Sequence, residues 1–265
     1  MAFSPKGDRI VSGSEDRTVR VWSTRGSRLI AILNIHTGSV RSVVFSNQGN
    51  EILSGSEDRT LRRWSWCSDV GRPMGDPICG HTGAVCSVAY SSDGGTIVSG
   101  SFDGPIRLWY EDGEPAEIVP LSHKSSVWSI AIAPNNQRIL SGHGRGISLW
   151  NGDHNGLGGI RERFSDSHIV GNKCVRCVRC VAFSPDGETI THGSDGIAVY
   201  LLNNRLGSKS LEHIAVPLPL SVTPTRFCPL HSPQMGKCWC RFQWIIMSNY
   251  GTYRYRLPLC MPWNP

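Results

Sequence analysis

Three side-chain types that together run acyl-transfer chemistry recur along this chain. His36, Ser54 and Asp58 make one set, and His81, Ser99 and Asp103 make a second. A serine activated by a histidine that a carboxylate orients is a nucleophile towards esters and amides. Such a triad occurs once in an enzyme and sits beside a substrate pocket. Here the trio returns with each good copy of the surrounding sequence, which points to a structural role. No catalytic residue is assigned, and no enzymatic activity is expected.

Metal chemistry is the second reading to weigh. Cys228, His231, Cys238 and Cys240 lie close together in "RFCPLHSPQMGKCWC". Their spacing, C-x2-H-x6-C-x-C, matches no common zinc finger, and a C-x-C bite is unusual. In "CVRCVRC" at 174–180, a strand would put Cys174 and Cys180 on one face and Cys177 on the other, so one ion could not collect all three. Neither metal nor cofactor is expected. The chain also lacks a phosphate-cradling G-x-x-x-x-G-K-[ST] loop and an H-E-x-x-H zinc motif. The Gly-rich "GDHNGLGG" at 152–159 has no following lysine and reads as a loop.

The residues that could do chemistry are embedded in a repeat, and the repeat decides what they are for. "SGSEDRT" stands at 12–18 and again, letter for letter, at 54–60. Aligned on it are "ILSGSEDRTLRRW" at 52–64, "IVSGSFDGPIRLW" at 97–109 and "ILSGHGRGISLW" at 139–150. Trp22, Trp64, Trp109 and Trp150 end the copies, at spacings of 42, 45 and 41 residues. A weaker copy, "ITHGSDGIAVY" at 190–200, puts Tyr200 in the Trp place. A second block precedes the copies: "HTGSVRSVVFS" at 36–46, "HTGAVCSVAYS" at 81–91 and "HKSSVWSIAIA" at 123–133, with a degenerate "CVRCVRCVAFS" at 174–184. Short Val/Ile/Leu runs with alternating polar residues, broken by Gly, Asp and Ser, are strand-and-turn patterns rather than helical ones. Three to four strands in about 42 residues make one blade of a propeller.

These units resemble WD40 repeats, although Ser, Ser, Tyr and Asn follow the four Trp residues where the family name puts Asp. The resemblance covers residues 2 to about 203. It implies an all-β WD40 β-propeller of about five recognisable blades, an incomplete ring, over units of about 1–24, 25–68, 69–112, 113–153 and 168–203. Residues 204–265 are expected to be a Pro/Cys-rich basic tail, poorly ordered. Five units are fewer than the seven or eight with which the family closes its ring. The array is therefore expected to be an open arc: a piece of a longer protein, the product of an imprecise gene model, or a half-ring that pairs with another chain through its strand edges.

The resemblance also implies a hydrogen-bonded tetrad in each blade. In the second unit it falls on His36, Ser54, Asp58 and Trp64, and in the third on His81, Ser99, Asp103 and Trp109. The first unit keeps Ser12, Asp16 and Trp22 without the histidine. The fourth keeps His123, Ser141 and Trp150 without the aspartate. In the fifth, Cys174, His192 and Tyr200 replace the His, Ser and Trp, and Asp195 alone matches. Stability is expected to fall from the second and third blades towards the fifth. Family members bind partners on one ring face, beside the Val of the first strand and before the turn Asp. Carried over, these positions are Ser39, Arg41 and Glu57; Ala84, Cys86 and Phe102; Ser126 and Trp128; and Glu15, Cys177, Arg179 and Ser194. Phe102 and Trp128, in neighbouring blades, are the expected centre of a partner-binding face with Arg41, Glu57, Cys86 and Arg179, because exposed aromatics and Arg are the usual hot spots.

Charge bounds the partners. The chain of 265 residues carries a net charge of +6. Residues 204–265 hold seven basic residues and one acidic, leaving 20 of each in residues 1–203. The repeat array is neutral, so nucleic acid is not its expected ligand. No apolar run approaches the roughly 20 residues of a membrane helix, and "MAFSPKGDRI" lacks a signal-peptide core. A cytoplasmic or nuclear chain with reduced cysteines is expected. The expected function is a non-enzymatic protein-interaction scaffold or ligand-sensing module. The repeat wording ("SPDG", "GHTGAV") is most similar to arrays in fungal NACHT/STAND NTPases of the vegetative-incompatibility type. The alternatives are a free-standing adaptor of ubiquitin-ligase or G-protein-beta type, and RNA binding through the basic tail.

Overall fold

The computed structural model describes residues 1–67, 70–116, 121–122, 125–152, 162–166, 169–170, 173–174, 177–194, 199–203 and 212–213. Among them there is no helix. Five four-stranded antiparallel sheets follow one another along the chain, each with its strands in sequence order. The first contains β1 (Ala2–Phe3), β2 (Arg9–Gly13), β3 (Val19–Ser23) and β4 (Leu29–Leu33). The second contains β5 (Val40–Phe45), β6 (Glu51–Ser56), β7 (Leu61–Cys67) and β8 (Val70–Ile78), and the third β9 (Val85–Tyr90), β10 (Thr96–Ser101), β11 (Pro105–Tyr110) and β12 (Leu121–Ser122). The fourth contains β13 (Val127–Ile132), β14 (Arg138–His143), β15 (Gly146–Asn151) and β16 (Glu162–Asp166). A two-stranded ribbon, β17 (Ile169–Val170) with β18 (Lys173–Cys174), leads to the fifth: β19 (Val178–Phe183), β20 (Thr189–Ser194), β21 (Val199–Asn203) and β22 (Glu212–His213).

Consecutive sheets pack face to face, and each interface is an apolar layer. Val11, Val19 and Val21 of the first sheet meet Val43, Ile52 and Trp64 of the second. Leu53 and Leu61 meet Val85, Val88, Ile97 and Trp109. Val98 and Ile106 meet Val127, Ile130, Ile139 and Trp150. Leu140 and Ile147 meet Val178, Val181, Ile190 and Leu202. Period-2 alternation makes this possible, because neighbours along a strand point to opposite faces. Each sheet thus has a backward face with its Ile and Trp, and a forward face of aliphatics around the glycine of "SGS". That glycine is required for close approach. A Cβ on Gly55 would stand 2.7 Å from Val85 Cγ1, and one on Gly100 2.6 Å from both Val127 Cγ1 and Ile130 Cδ1.

Polar staples cross the same interfaces. The backbone N–H of Val88 donates to Ser42 Oγ (3.2 Å), that of Ile130 to Ser87 Oγ (3.0 Å), and that of Val181 to Ser129 Oγ (3.2 Å). One serine per inner strand therefore ties each of the three middle blades to the next. The repeat text shows it as the third residue of "VRSV", "VCSV" and "VWSI", and sequence reading gave it no role.

Two expectations about boundaries change. The sequence units are offset from the sheets by one strand. β4 lies inside the second unit yet completes the first sheet, and β8 lies inside the third yet completes the second. The array also reaches past residue 203, since Leu202 pairs with His213 and Asn203 with Glu212. An outermost strand packs at the rim and carries no signature residues, so nothing in the text of 204–213 announced it. The remainder of 204–265, with the Cys228/His231/Cys238/Cys240 cluster, lies outside the described residues.

Candidate functional site

The recurring Ser, His and Asp converge in the second and third blades. β6 and the loop before β5 bring His36 and Ser54 together, and the β6–β7 turn supplies Asp58. His36 Nδ1 lies 2.7 Å from Asp58 Oδ2, and His36 Nε2 2.7 Å from Ser54 Oγ. The carboxylate can only accept, so the ring proton sits on Nδ1 and Nε2 accepts from the serine hydroxyl. Trp64 Nε1 donates to the same Ser54 oxygen at 2.9 Å. The third blade repeats the set: His81 Nδ1 to Asp103 Oδ2 at 3.1 Å, His81 Nε2 to Ser99 Oγ at 2.8 Å, and Trp109 Nε1 to Ser99 Oγ at 2.8 Å. Ser54 and Ser99 have no exposed surface. Each hydroxyl is held between a ring nitrogen and an indole with no path to a substrate. The trio locks the turn, the inner-strand loop and two strands together; this is not nucleophile geometry.

The other blades use part of the lock. In the first, Trp22 Nε1 donates to Ser12 Oγ at 2.9 Å, while Asp16 turns to Thr18 and Arg20. In the fourth, Trp150 Nε1 donates to Ser141 Oγ at 3.1 Å. His123 lies outside the described residues. A histidine that sequence reading missed, His143, is buried in the same blade, with Nε2 3.0 Å from Ser148 Oγ and Nδ1 3.3 Å from Ser125 Oγ. It stands in the place of the third residue of "SGS", which explains why a motif-based search passed over it. In the fifth blade the assignment of Tyr200 to the Trp place is corrected. Ile190 pairs with Leu202, as Ile52 pairs with Trp64, and His192 pairs with Tyr200, as Ser54 pairs with Arg62. The twelve-residue step from Ile to Trp of the first three blades returns here, and Leu202, fully buried, fills the Trp position. Asp195 lies outside the described residues.

Electrostatics in the locks follow from burial. Burial pushes the pKa of His36 and His81 below the usual histidine value, against the raising effect of their aspartates, so both rings are neutral at pH 7. Burial opposes ionisation of Asp58, but the hydrogen bonds from Thr60, His36 and Thr37 outweigh it and bring the pKa down to about 2. A histidine whose folded pKa lies below its unfolded value binds fewer protons when folded. Its contribution is therefore complete above about pH 6.5 and is lost as pH falls towards the folded pKa. The aspartate adds a second loss between about pH 4 and pH 2. The melting temperature should fall on acidification from pH 7 to pH 5. The fall should be smaller in a His36→Gln/His81→Gln variant, measured by differential scanning calorimetry. An equal fall in both proteins would remove the histidines as its source.

The exposed counterpart of the locks lies at the end of the blades where the "SGS" turns sit. Arg41, Cys86, Trp128 and Arg179 are each the extra residue at a β-bulge in an inner strand: between Val40 and Ser42, Val85 and Ser87, Val127 and Ser129, and Val178 and Cys180. A bulge leaves one residue out of the ladder and re-aims its side chain. Glu57 and Phe102 reach the same end from the turns after β6 and β10. Arg41 pairs with Glu57, its Nε donating to Oε1 at 2.9 Å. Burial raises the Cys86 thiol to about 12, so it is an unreactive thiol at neutral pH. Phe102 meets Trp128 edge to face, with ring centroids 4.4 Å apart. The Arg179 guanidinium lies 3.9 Å from the Trp128 ring centroid. Arg179, Trp128 and Phe102 thus form one stack across the fifth, fourth and third blades, all three half-buried. Among the described residues no cluster of three or more His, Cys, Asp or Glu side chains could hold a metal ion.

Face-to-face four-stranded blades with a polar lock inside and a bulge-built stack at one end define an incomplete β-propeller of the repeat class. The model of the WD domain, G-beta repeat, matches residues 1–23, 27–65, 75–110, 117–151 and 166–199, and the chain belongs to the WD40 family. WD40 repeats are in general modules of protein–protein interaction. No curated protein matches the chain.

Proposed function

We propose that this chain is a non-enzymatic protein-interaction scaffold, and that its partner docks on the Phe102–Trp128–Arg179 stack flanked by Arg41, Glu57 and Cys86. The observation that supports this reading is the stack itself. Three bulge or turn residues from three different blades meet in one half-exposed aromatic and cationic surface, although none is needed in an inter-blade core. A ring held edge to face and capped by a guanidinium has lost its rotamer freedom before binding, which lowers the entropy cost of capture. The reading extends to a module of the kind found in fungal NACHT/STAND signalling proteins, supported by the wording of the repeats.

The test is positional. The photo-crosslinker p-benzoylphenylalanine placed at Trp128 should capture one partner in cells of the source organism. The same group at Tyr110, at the opposite end of the third blade, should not. Equal capture at both positions, or at Tyr110 only, would move the recognition surface elsewhere.

A further inference from the structure

The turns after β2, β6 and β14 each place an arginine at the end of the blades that carries the stack. Arg17, Arg59 and Arg145 are exposed, and no hydrogen bond or ion pair ties their guanidinium groups to any described residue. Two of them stand where the backbone disfavours them. Arg17 and Arg59 adopt φ of 72° and 71°, in the left-handed region that suits glycine, and the same place in the third blade holds Gly104, with φ of 99°. All three residues close the same turn, their N–H groups donating to the carbonyls of Ser14, Ser56 and Ser101 at 3.2, 3.1 and 3.2 Å. Glycine makes this turn with less strain, so the arginine side chains there do nothing for the fold. The carboxylates of the same end are already engaged. Asp16 accepts from Thr18 and Arg20, and Glu57 from Arg41. Asp58 and Asp103 are held in the locks, where they also accept from the Thr37 and Thr82 N–H groups. Among the described residues of this end Glu15 alone keeps a carboxylate exposed and unpaired. An arriving cation thus meets one free carboxylate, and an arriving anion meets three free guanidinium groups.

We infer that the partner docking on this end presents an extended acidic segment, whose carboxylates pair with Arg17, Arg59 and Arg145 while the Phe102–Trp128–Arg179 stack takes an apolar side chain. This rests on the reading of the stack as the docking surface and adds the partner's chemistry to it. Guanidinium groups in a row match carboxylates in geometry as well as in charge, since each can make two parallel N–H···O bonds. Spacing fixes the form of the segment. Sheets packed face to face stand about 10 Å apart, and an extended chain advances about 3.3 Å per residue, so neighbouring blades are matched by carboxylates about three residues apart. Arg59 and Arg145 belong to the second and fourth blades, and Phe102 stands in the third, between them. Three separated cations on an array with 20 acidic and 20 basic residues do not make the dense positive field that nucleic acid requires.

Fluorescence anisotropy on the full chain tests this. The probe is a labelled peptide of about twelve residues with glutamate at every third position and leucine at its centre. It should bind, more weakly as salt rises, and its counterpart with lysine in place of glutamate should not. Arg17→Gly and Arg59→Gly should each weaken binding about two- to fivefold, the range of one exposed ion pair. Both variants should melt no lower than the wild type, because glycine relieves the turn. With Arg145→Gln added to the pair, the loss should exceed about tenfold. No binding of the glutamate peptide, equal binding of the lysine peptide, or binding indifferent to the three arginines would overturn the inference. So would tighter binding of a single-stranded DNA oligonucleotide that depends on the same arginines, which would assign them to nucleic acid. The two readings fail separately. If Phe102→Ala with Trp128→Ala leaves peptide binding intact while the arginine changes remove it, the stack loses its role and the acidic partner stands. If the aromatic changes remove binding and the arginine changes do not, the acidic partner falls and the stack stands.

Discussion

Gly100→Val is expected to cost about 3 kcal/mol or more and to lower the melting temperature by roughly 6–12 °C, on overpacking and size-scaling grounds. A Cβ at this position already stands 2.6 Å from Val127 Cγ1 and from Ile130 Cδ1, and both belong to the inner strand of the next blade. They cannot retreat. Val127 has no exposed surface, and the Ile130 N–H is held by Ser87. Two further methyl groups would have to push the third and fourth sheets apart. Gly95→Ala is the control, because its nearest atom, Asp93 Oδ1, is 3.7 Å away and the change should be nearly neutral. Thermal unfolding of the two variants side by side is the measurement. If Gly100→Val melts like Gly95→Ala, the close approach of the sheets is not as described.

The second large effect concerns the tryptophans, and its value lies in their ranking. Trp109→Ala removes a fully buried ring and its donor to Ser99, and should cost about 3–5 kcal/mol. Trp64→Ala should cost the same. Trp22→Ala removes the same residue type from the same motif position, with the same indole hydrogen bond to serine. It is half-exposed, however, and water can enter the space it leaves, so the cost should be about half or less. Denaturant melts of the three variants would show it. Equal losses would mean that Trp22 is as closed off in solution as Trp64 and Trp109 are.

Much of the blade arrangement was legible before any coordinates, because the locks, the Ile–Trp register and the turns all recur in step. Recurrence also separated structure from chemistry, since a buried serine repeated in each good blade is not a nucleophile. What escaped was what does not recur or has no signature. The outermost strand β22 lies at the rim, where few packing demands fall on side-chain type. Leu202 escaped because Tyr200, two residues earlier, is the aromatic there, while the twelve-residue pairing distance of the first three blades returns at Leu202. His143 escaped because it replaces a serine that sequence reading did not count as part of the lock. The residues of the exposed face were named by position alone. Their shared cause, a bulge in each inner strand, is a backbone event that a string of letters does not display. The exposure of the first blade was invisible for a different reason: Ile10 and Trp22 read the same as Ile52 and Trp64, yet they are half-exposed where the second pair is buried.

The central claim is that the repeated motif holds the fold while the stack at the blade ends does the binding. It is tested most directly by measuring the affinity of the crosslinked partner for two variants of known melting temperature. Ser99→Ala should lower the melting temperature, through loss of about 1–2 kcal/mol, and bind the partner as wild type does. Phe102→Ala with Trp128→Ala should melt close to wild type and lose more than 100-fold in affinity, about 3 kcal/mol. The reverse pattern, with binding lost in Ser99→Ala and kept in the double variant, would contradict the account.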